Sequence, residues 1–210
     1  MAETASPELE ARNLHLWRGE RHVLRGLSFR AAAGESLHVR GPNGCGKTSL
    51  LRTLAGFLWP EEGTVRFRGR ELHADRDGYA VELAYLGHEN GLKADLSARE
   101  NLGFGASLRH PTTAAAIDAT LARLGVLLEA DLPVRVLSAG QRRRVAMARV
   151  LLARAQLWLL DEPFTNLDAQ GVRELSAVVG EHVAAGGIAI LTAHSELVLP
   201  GAALRPLELG

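Results

Sequence analysis

The sequence predicts an α/β fold with a mostly parallel core sheet, and three observations support this prediction. A glycine-rich loop at residues 41–48 lies between a strand-like segment and a helix-like segment. In the second half of the chain, short apolar strands alternate with amphipathic helices. Strand–helix–strand order gives right-handed crossovers and parallel strands, with ligands at the strands' carboxyl ends. At 210 residues, a single domain is expected.

The N-terminal part of the chain alternates apolar and polar residues, which is typical of strands with one buried face. Between residues 9 and 40 this pattern predicts several short strands, the last of which, 36–40, enters the glycine-rich loop. Residues 63–69 show a further clear period of two, and Tyr85-Leu86 ends one more strand.

The loop itself, Gly-Pro-Asn-Gly-Cys-Gly-Lys-Thr, fits the pattern G-x-x-x-x-G-K-[ST] of nucleotide triphosphatases, although a glycine-rich turn can fit it by chance. Its glycines let backbone N–H groups surround a polyphosphate, Lys47 adds a positive charge, and the Thr48 hydroxyl can ligate Mg²⁺. The apolar spacing that follows predicts a helix running to Phe57, before Pro60. The predicted ATP-binding residues here are Gly41, Pro42, Asn43, Gly44, Cys45, Gly46, Lys47, Thr48 and Ser49.

The middle of the chain is helix-rich, with no strand pattern between residues 89 and about 136. Ser97-Ala-Arg-Glu100 is a capping box that begins one helix, and a second helix is predicted at residues 113–124.

Helices and strands alternate beyond that point. Helices are predicted at 142–154 and 170–185, and buried strands at 156–160 and 188–192. The glycine-rich loop, Asp161 and His194 each follow such a strand, so we expect all three to meet at one edge of the sheet.

Composition excludes several classes of protein. The formal net charge is zero, with 24 basic and 24 acidic residues, which argues against a nucleic-acid-binding surface. The run Arg142–Arg144 is interpreted as a solvated helix face. A single cysteine, Cys45, excludes an intramolecular disulfide and suits a reducing compartment. No secretory leader or membrane span is predicted, so any work at a membrane requires a partner.

Two adjacent carboxylates follow the apolar strand at 156–160. Asp161 can hold Mg²⁺, and Glu162 is placed to polarise a water in line with the γ-phosphate. Around them lie Leu-Ser-Ala-Gly-Gln at 137–141, Thr-Asn-Leu-Asp at 165–168 and Leu-Thr-Ala-His at 191–194.

With this set of motifs, the chain resembles the ATP-binding subunit of ABC transporters from about residue 9 to residue 194. The resemblance implies a head-to-tail homodimer, with each ATP held between one subunit's phosphate loop and the other's signature sequence. It also implies an antiparallel β lobe at about 9–86, interleaved with the phosphate-loop core, and a helical subdomain at about 89–140. Carried over by position, the signature contacts are Ser138, Gly140 and Gln141, the interface aspartate is Asp168, and the histidine at the γ-phosphate is His194; alone, such a histidine is usually structural.

Three positions depart from the commonest family pattern. Ala139 replaces a signature glycine and is tolerable if its φ is negative. His88 stands where most relatives carry the glutamine that links Mg²⁺ to the transporter interface. Trp17 is the candidate for stacking on adenine, offset by one residue from the usual tyrosine, with a half-buried strand tryptophan as the alternative.

The departures and several local segments resemble the CcmA-type subfamily of bacterial cytochrome c maturation. That resemblance implies integral membrane partner subunits, a position on the cytoplasmic face of the inner membrane, and ATP hydrolysis linked to the release of haem-loaded chaperone. No residue is predicted as a direct haem ligand. The alternatives are the ATPase subunit of another small-molecule exporter and a soluble clamp protein of DNA repair or translation. Zero net charge and the lack of heptads disfavour the clamp.

Overall fold

The computed structural model describes residues 8–193 and 197–209, which form two β-sheets flanked by helices. The first sheet is antiparallel, with the strand order β2-β1-β4-β5. Its strands are β1 Leu9–Arg18, β2 Arg21–Ala31, β4 Glu62–Phe67 and β5 Arg70–Glu71. The first two strands are longer than the short strands predicted there, because a turn at Gly19 joins them into one hairpin.

The second sheet is parallel, with the order β6-β7-β8-β3-β9 among the described residues. Its strands are β3 Ser36–Arg40, β6 Leu83–Leu86, β7 Leu157–Leu160, β8 Ile188–Thr192 and β9 Leu204–Glu208. This arrangement confirms the predicted α/β fold with a mostly parallel core. Strand β9 has no counterpart in the sequence prediction, because Pro206 and charged neighbours interrupt its apolar pattern; an edge strand tolerates proline.

Six α-helices belong to the described part of the chain. They are α1 Lys47–Leu54, α2 Arg76–Glu82, α3 Ala98–Ser107, α4 Ala114–Arg123, α5 Ala139–Leu152 and α6 Ala169–Ala184, with a 3₁₀ turn at Val134–Val136. The predicted capping box of α3 is confirmed, since Ser97 Oγ accepts from Glu100 N at 3.1 Å and Glu100 Oε2 accepts from Ser97 N at 2.7 Å.

The prediction that α1 runs to Phe57 is wrong. The helix ends at Leu54, and Gly56 follows in the left-handed conformation at φ 74°. Phe57 N then donates to Arg52 O at 2.9 Å and Gly56 N to Thr53 O at 3.1 Å, which are the paired bonds of a Schellman C-cap. Phe57 is consequently left 62% exposed, edge-on to the ring of Tyr85.

Both faces of the parallel sheet are covered. In β7, Leu157 and Leu159 belong to the core shared with α1 and the antiparallel sheet, whereas Trp158 and Leu160 belong to the core shared with α3 to α6. This alternation explains why the β7 sequence is apolar throughout. Because both faces are covered, a binding site on this sheet is expected at the carboxyl ends of its strands.

Candidate functional site

The glycine-rich loop joins β3 to α1 in a conformation that only glycine permits. Gly41, Gly44 and Gly46 have φ values of 145°, 78° and 116°. A Cβ atom on Gly41 would collide with the carbonyl oxygen of Leu209, and one on Gly46 would collide with the Val23 side chain. The loop is therefore fixed by neighbouring elements as well as by its own sequence.

Lys47 and the N-terminus of α1 give the glycine-rich loop a positive potential. Lys47 Nζ donates to Gly41 O at 2.8 Å and to Pro42 O at 3.2 Å, so the ammonium group lies across the loop. Gly46 caps α1 without a side chain, and Leu50 N makes the first helical bond to Gly46 O at 2.8 Å. The N–H groups of Lys47, Thr48 and Ser49 precede that bond, which is the arrangement that binds phosphate at helix N-termini.

The remaining loop residues differ in exposure. Pro42 and Asn43 are exposed, whereas Cys45 is half-buried and packs on the core beneath the loop as a free thiol. This position agrees with the interpretation of Cys45 as a small packing residue.

Asp161 lies at the carboxyl end of β7 and is 2% exposed. Its Oδ1 accepts from Thr192 Oγ1 at 2.8 Å, but its Oδ2 is buried and has no hydrogen-bond partner among residues 8–193 and 197–209. Burying a carboxylate oxygen without a hydrogen-bond partner is energetically costly unless the oxygen binds a cation. The oxygen donor fits Mg²⁺, which prefers carboxylate and hydroxyl ligands.

Glu162 follows in a strained backbone conformation, at φ 50°. Its N–H donates to Thr192 Oγ1 at 2.8 Å. Its Oε2 accepts from Thr165 Oγ1 at 3.4 Å and lies 3.8 Å from Nδ1 of His88, whose side chain is mostly exposed. A left-handed glutamate is uncommon, and such strain is typical of functional sites.

Thr192 is a site residue that sequence reasoning missed. It is fully buried at the end of β8, where one hydroxyl group bonds both Asp161 and Glu162. Its place at the end of a predicted strand was the available signal. His194, the predicted γ-phosphate contact two residues later, lies outside the described residues.

The strand order brings these groups to one edge. β3, β8 and β7 are adjacent and parallel, so the phosphate loop, Thr192 and Asp161 all follow the carboxyl ends of neighbouring strands. This is where parallel sheets bind ligands.

The signature sequence opens α5, which begins at Ala139 rather than at the predicted 142. Ser138 caps the helix by accepting from Gln141 N at 3.1 Å, and Gln141 Oε1 accepts from Ser138 N at 2.8 Å. Ala139 lies in the helix with a negative φ, so the condition for tolerating its methyl group is met. No hydrogen bond between described residues joins 138–141 to the phosphate loop.

Gly140 lies where the signature helix meets the loop before α6. A Cβ on Gly140 would come within 2.8 Å of Asn166 O. Asp168 caps α6 by accepting from Gly171 N at 2.8 Å and otherwise remains largely exposed.

Trp17 is half-buried on β1 and stacks on His22, with ring centroids 3.7 Å apart and planes 6° from parallel. The backbone N–H of Trp17 donates to Glu61 Oε2 at 3.1 Å. The ring of His15 also lies against the indole, with centroids 5.9 Å apart and planes 19° from parallel, so two imidazole rings pack on Trp17.

The interpretation of Arg142–Arg144 as a solvated face is wrong for its central residue. Arg143 is 3% exposed, because α5 turns that side chain toward the tip of β7. Arg144 is also largely covered, in an ion pair with Glu174.

The comparisons with known proteins agree with this geometry. The ABC transporter family profile matches residues 24–165. The "Cytochrome c biogenesis ATP-binding export protein CcmA" of Nitrosococcus oceani is 46% identical, over 100% of this chain and 95% of that protein. The protein of the same name from Salmonella typhi is 49% identical, over 93% of this chain and 92% of that protein.

Solved structures show the same fold. A putative ABC transporter ATP-binding protein from Pyrococcus furiosus matches with a TM-score of 0.83 and 26% identity, covering 96% of each chain. CbiO1 from Clostridium perfringens, part of the ABC transporter complex cbiONQ, matches with a TM-score of 0.75 and 26% identity, covering 90% of this chain and 79% of its own. The chain therefore belongs to the ABC transporter family, within the group that contains the cytochrome c biogenesis ATP-binding export proteins.

Proposed function

We propose that this chain is the ATP-hydrolysing subunit of a membrane ABC complex that drives haem handling and chaperone release in c-type cytochrome biogenesis. The observation that carries the ATPase part is the array at the end of β7. There, a buried Asp161 oxygen lacks a partner among the described residues, and Glu162 is held beside it by Thr192. The similarity to cytochrome c biogenesis proteins over the full chain supports the pathway.

In this proposal the phosphate loop binds the polyphosphate of ATP through Lys47 and the N-terminus of α1. The residues that would hold magnesium are Thr48 and Asp161, and the ion would neutralise phosphate charge. Glu162 accepts the proton of the attacking water, with His194 as its predicted neighbour at the γ-phosphate. Trp17 is the candidate for stacking on adenine.

A second subunit completes the site in this proposal. Ser138 and Gln141 bond to each other at the start of α5, and Gln141 Nε2 donates to Glu129 Oε1 at 3.0 Å. Because no hydrogen bond within residues 8–193 and 197–209 joins them to their own phosphate loop, we propose that the Ser138 hydroxyl meets a nucleotide bound by another copy. Two copies placed head to tail would close around two ATP molecules through Ser138, Gly140 and Gln141. Asp168, exposed at the start of α6, would lie at that interface.

We propose that integral membrane subunits bind a groove on this chain with a volume of about 410 Å³. The groove is lined by Tyr85, by residues 91–93 and by the exposed side chains of Phe104 and Leu108, on and just after α3. No helix within the described residues is long and apolar enough to cross a membrane. We propose that the chain lies peripherally on the cytoplasmic face of the inner membrane, bound to integral subunits through this groove, and its similarity to cytochrome c biogenesis ATP-binding export proteins supports this position.

The test is covalent haem on c-type cytochromes in cells that lack the gene, complemented with wild type or with Lys47→Ala. The expected result is loss of the haem signal, restored by wild type and not by the variant. An unchanged haem signal in the deletion strain would contradict the pathway and leave an ABC ATPase that serves another exporter.

A further inference from the structure

The buried residue Arg143 hydrogen-bonds to the backbone of the turn that carries the two carboxylates, Asp161 and Glu162. It lies on α5, five residues after the signature serine Ser138, and its side chain points inward to the end of β7. None of the roles assigned above uses it.

The guanidinium group of Arg143 uses all five of its N–H donors. Nη2 donates to Asp161 O at 2.6 Å and to Glu162 O at 2.8 Å, and Nε donates to Pro163 O at 3.2 Å. Nη1 donates to Gly87 O at 2.9 Å and to Asn90 Oδ1 at 3.0 Å. Three structural units thus meet at one side chain: the signature helix, the turn after β7 and the loop after β6.

These contacts hold the positive charge of Arg143 in the protein interior, where burial of an ion is costly. All five acceptors are uncharged carbonyl or amide oxygens, so complete hydrogen bonding rather than an ion pair stabilises the buried charge. Burial lowers the pKa of the Arg143 guanidinium, while the nearby charges of Asp161 and Glu162 oppose that shift. Lysine cannot replace it, because three donors on a point charge do not reproduce a planar five-donor fork.

The carbonyl bond to Glu162 matters because that residue is strained. Thr192 holds the Glu162 N–H group and Arg143 holds its carbonyl oxygen, so both sides of the φ 50° conformation are fixed from different elements. Release of either contact would let the backbone relax and change the direction of the carboxylate.

We propose that Arg143 is a positioning residue, which sets the direction of the Glu162 carboxylate by tying the Asp161–Pro163 turn to the loop at 87–90 and to α5. The inference rests on the proposed function of Glu162 as the general base.

The experiment compares Arg143→Gln and Arg143→Lys with two controls. Val145→Ala, on the same helix and equally buried, weakens α5 without touching the turn; Arg123→Gln removes a surface arginine that pairs with Glu181. Steady-state ATP hydrolysis and amide hydrogen exchange of residues 161–165 are measured for each variant in the complex with its membrane subunits.

Both Arg143 variants should retain a KM for ATP within about twofold of wild type and lose about 10- to 100-fold in kcat, the range for a misplaced catalytic group. Exchange at 161–165 should become faster in them and remain at the wild-type rate in Val145→Ala and Arg123→Gln. Lysine at 143 should not rescue kcat.

Unchanged exchange at 161–165 in Arg143→Gln would overturn the inference, as would a kcat within twofold of wild type. Equal effects on kcat and exchange in Val145→Ala would also overturn it, because Arg143 would then contribute only to general stability. Absence of hydrolysis by wild type would instead contradict the proposed function, and the exchange comparison would still decide whether Arg143 fixes the turn.

Discussion

The hydroxyl group of Thr192 donates to Asp161 Oδ1 at 2.8 Å and thereby joins the carboxyl ends of the neighbouring strands β8 and β7. The same oxygen accepts the N–H of Glu162 at 2.8 Å. A single buried side chain thus orients the predicted metal ligand and the predicted general base, although no motif assigns it a role.

Replacing Thr192 tests this arrangement. Thr192→Val keeps the shape but removes the hydroxyl, which leaves Asp161 Oδ1 and the Glu162 N–H without their shared partner. We expect the free energy of unfolding to fall by about 1–3 kcal/mol and kcat to fall with it, because the carboxylates lose their orientation. Thr192→Ser keeps the hydroxyl group and should retain the wild-type free energy of unfolding and the wild-type kcat. Denaturant unfolding and steady-state hydrolysis check this, and a fully stable, fully active valine variant would refute it.

Glu162→Gln removes the predicted general base while keeping the size of the side chain. ATP should still bind, and turnover should fall by about 10²- to 10⁴-fold. Glu181→Gln, an exposed change on α6, is the matched control and should leave turnover unaltered. Near-normal turnover in Glu162→Gln would remove this residue from the role of base.

Lys47→Ala removes the ammonium group that lies across the phosphate loop. Nucleotide affinity itself should be lost, because the charge facing the β- and γ-phosphates disappears. Calorimetric titration with ATP measures the affinity, and an unchanged circular dichroism spectrum serves as the folding control. Wild-type affinity in this variant would count against the interpretation of 41–48 as a phosphate loop.

Two glycines offer a matched pair of alanine substitutions. A Cβ at Gly140 would press to within 2.8 Å of Asn166 O, whereas one at Gly103 in α3 would meet only Ile117 Cδ1 at 3.8 Å. Gly103→Ala should therefore raise the free energy of unfolding by about 0.5–1 kcal/mol. Gly140→Ala should reduce hydrolysis by separating the signature helix from the loop before α6. Equal behaviour of the two variants in unfolding and hydrolysis assays would contradict both assignments.

Stability should depend on pH through two histidines, His38, which is buried, and His182, which is half-buried. Burial lowers the pKa of His182, which stacks on Trp158 at 3.8 Å, and burial also lowers the pKa of His38. The unfolded chain takes up these protons near pH 6.5, before the folded chain does. The free energy of unfolding is thus unaffected by these groups well above pH 6.5 and falls as pH is lowered through it.

Denaturant unfolding across this range measures the effect. His182→Phe, which keeps a ring against Trp158 and cannot titrate, should show a shallower loss of stability below pH 6.5. An identical pH dependence in this variant would show that His182 does not titrate differently in the folded and unfolded chains.

Much of the parallel sheet could be predicted, because its strands carry local signals. Ser36–Arg40 and Ile188–Thr192 form strands at the predicted bounds, and the structure confirms the capping box at Ser97. Helix α2 and strand β9 could not be predicted in this way. The first is short and contains Gly78, and the second contains Pro206 and pairs with a strand far away in the chain.

In the candidate site, too, the residues with local sequence signals could be predicted and those whose partners lie far away in the chain could not. The loop at 41–48 and the acidic pair after β7 are contiguous motifs whose chemistry follows from residue type and spacing. Arg143 was misread because three arginines in a row indicate only charge; its role depends on carbonyl groups from two distant segments. Thr192 was missed for the same reason, since its two partners come from another strand.

We propose that each ATP is hydrolysed between two copies of this chain, and complementation between two inactive variants is the decisive test. Lys47→Ala lacks a working phosphate loop, and Ser138→Arg lacks a working signature. The two variants, with different affinity tags, are co-expressed with the membrane subunits, and hydrolysis by the doubly purified complex is measured. The mixed complex should recover activity, because one of its two sites combines an intact loop with an intact signature. A mixed complex as inactive as either variant alone would contradict the shared site.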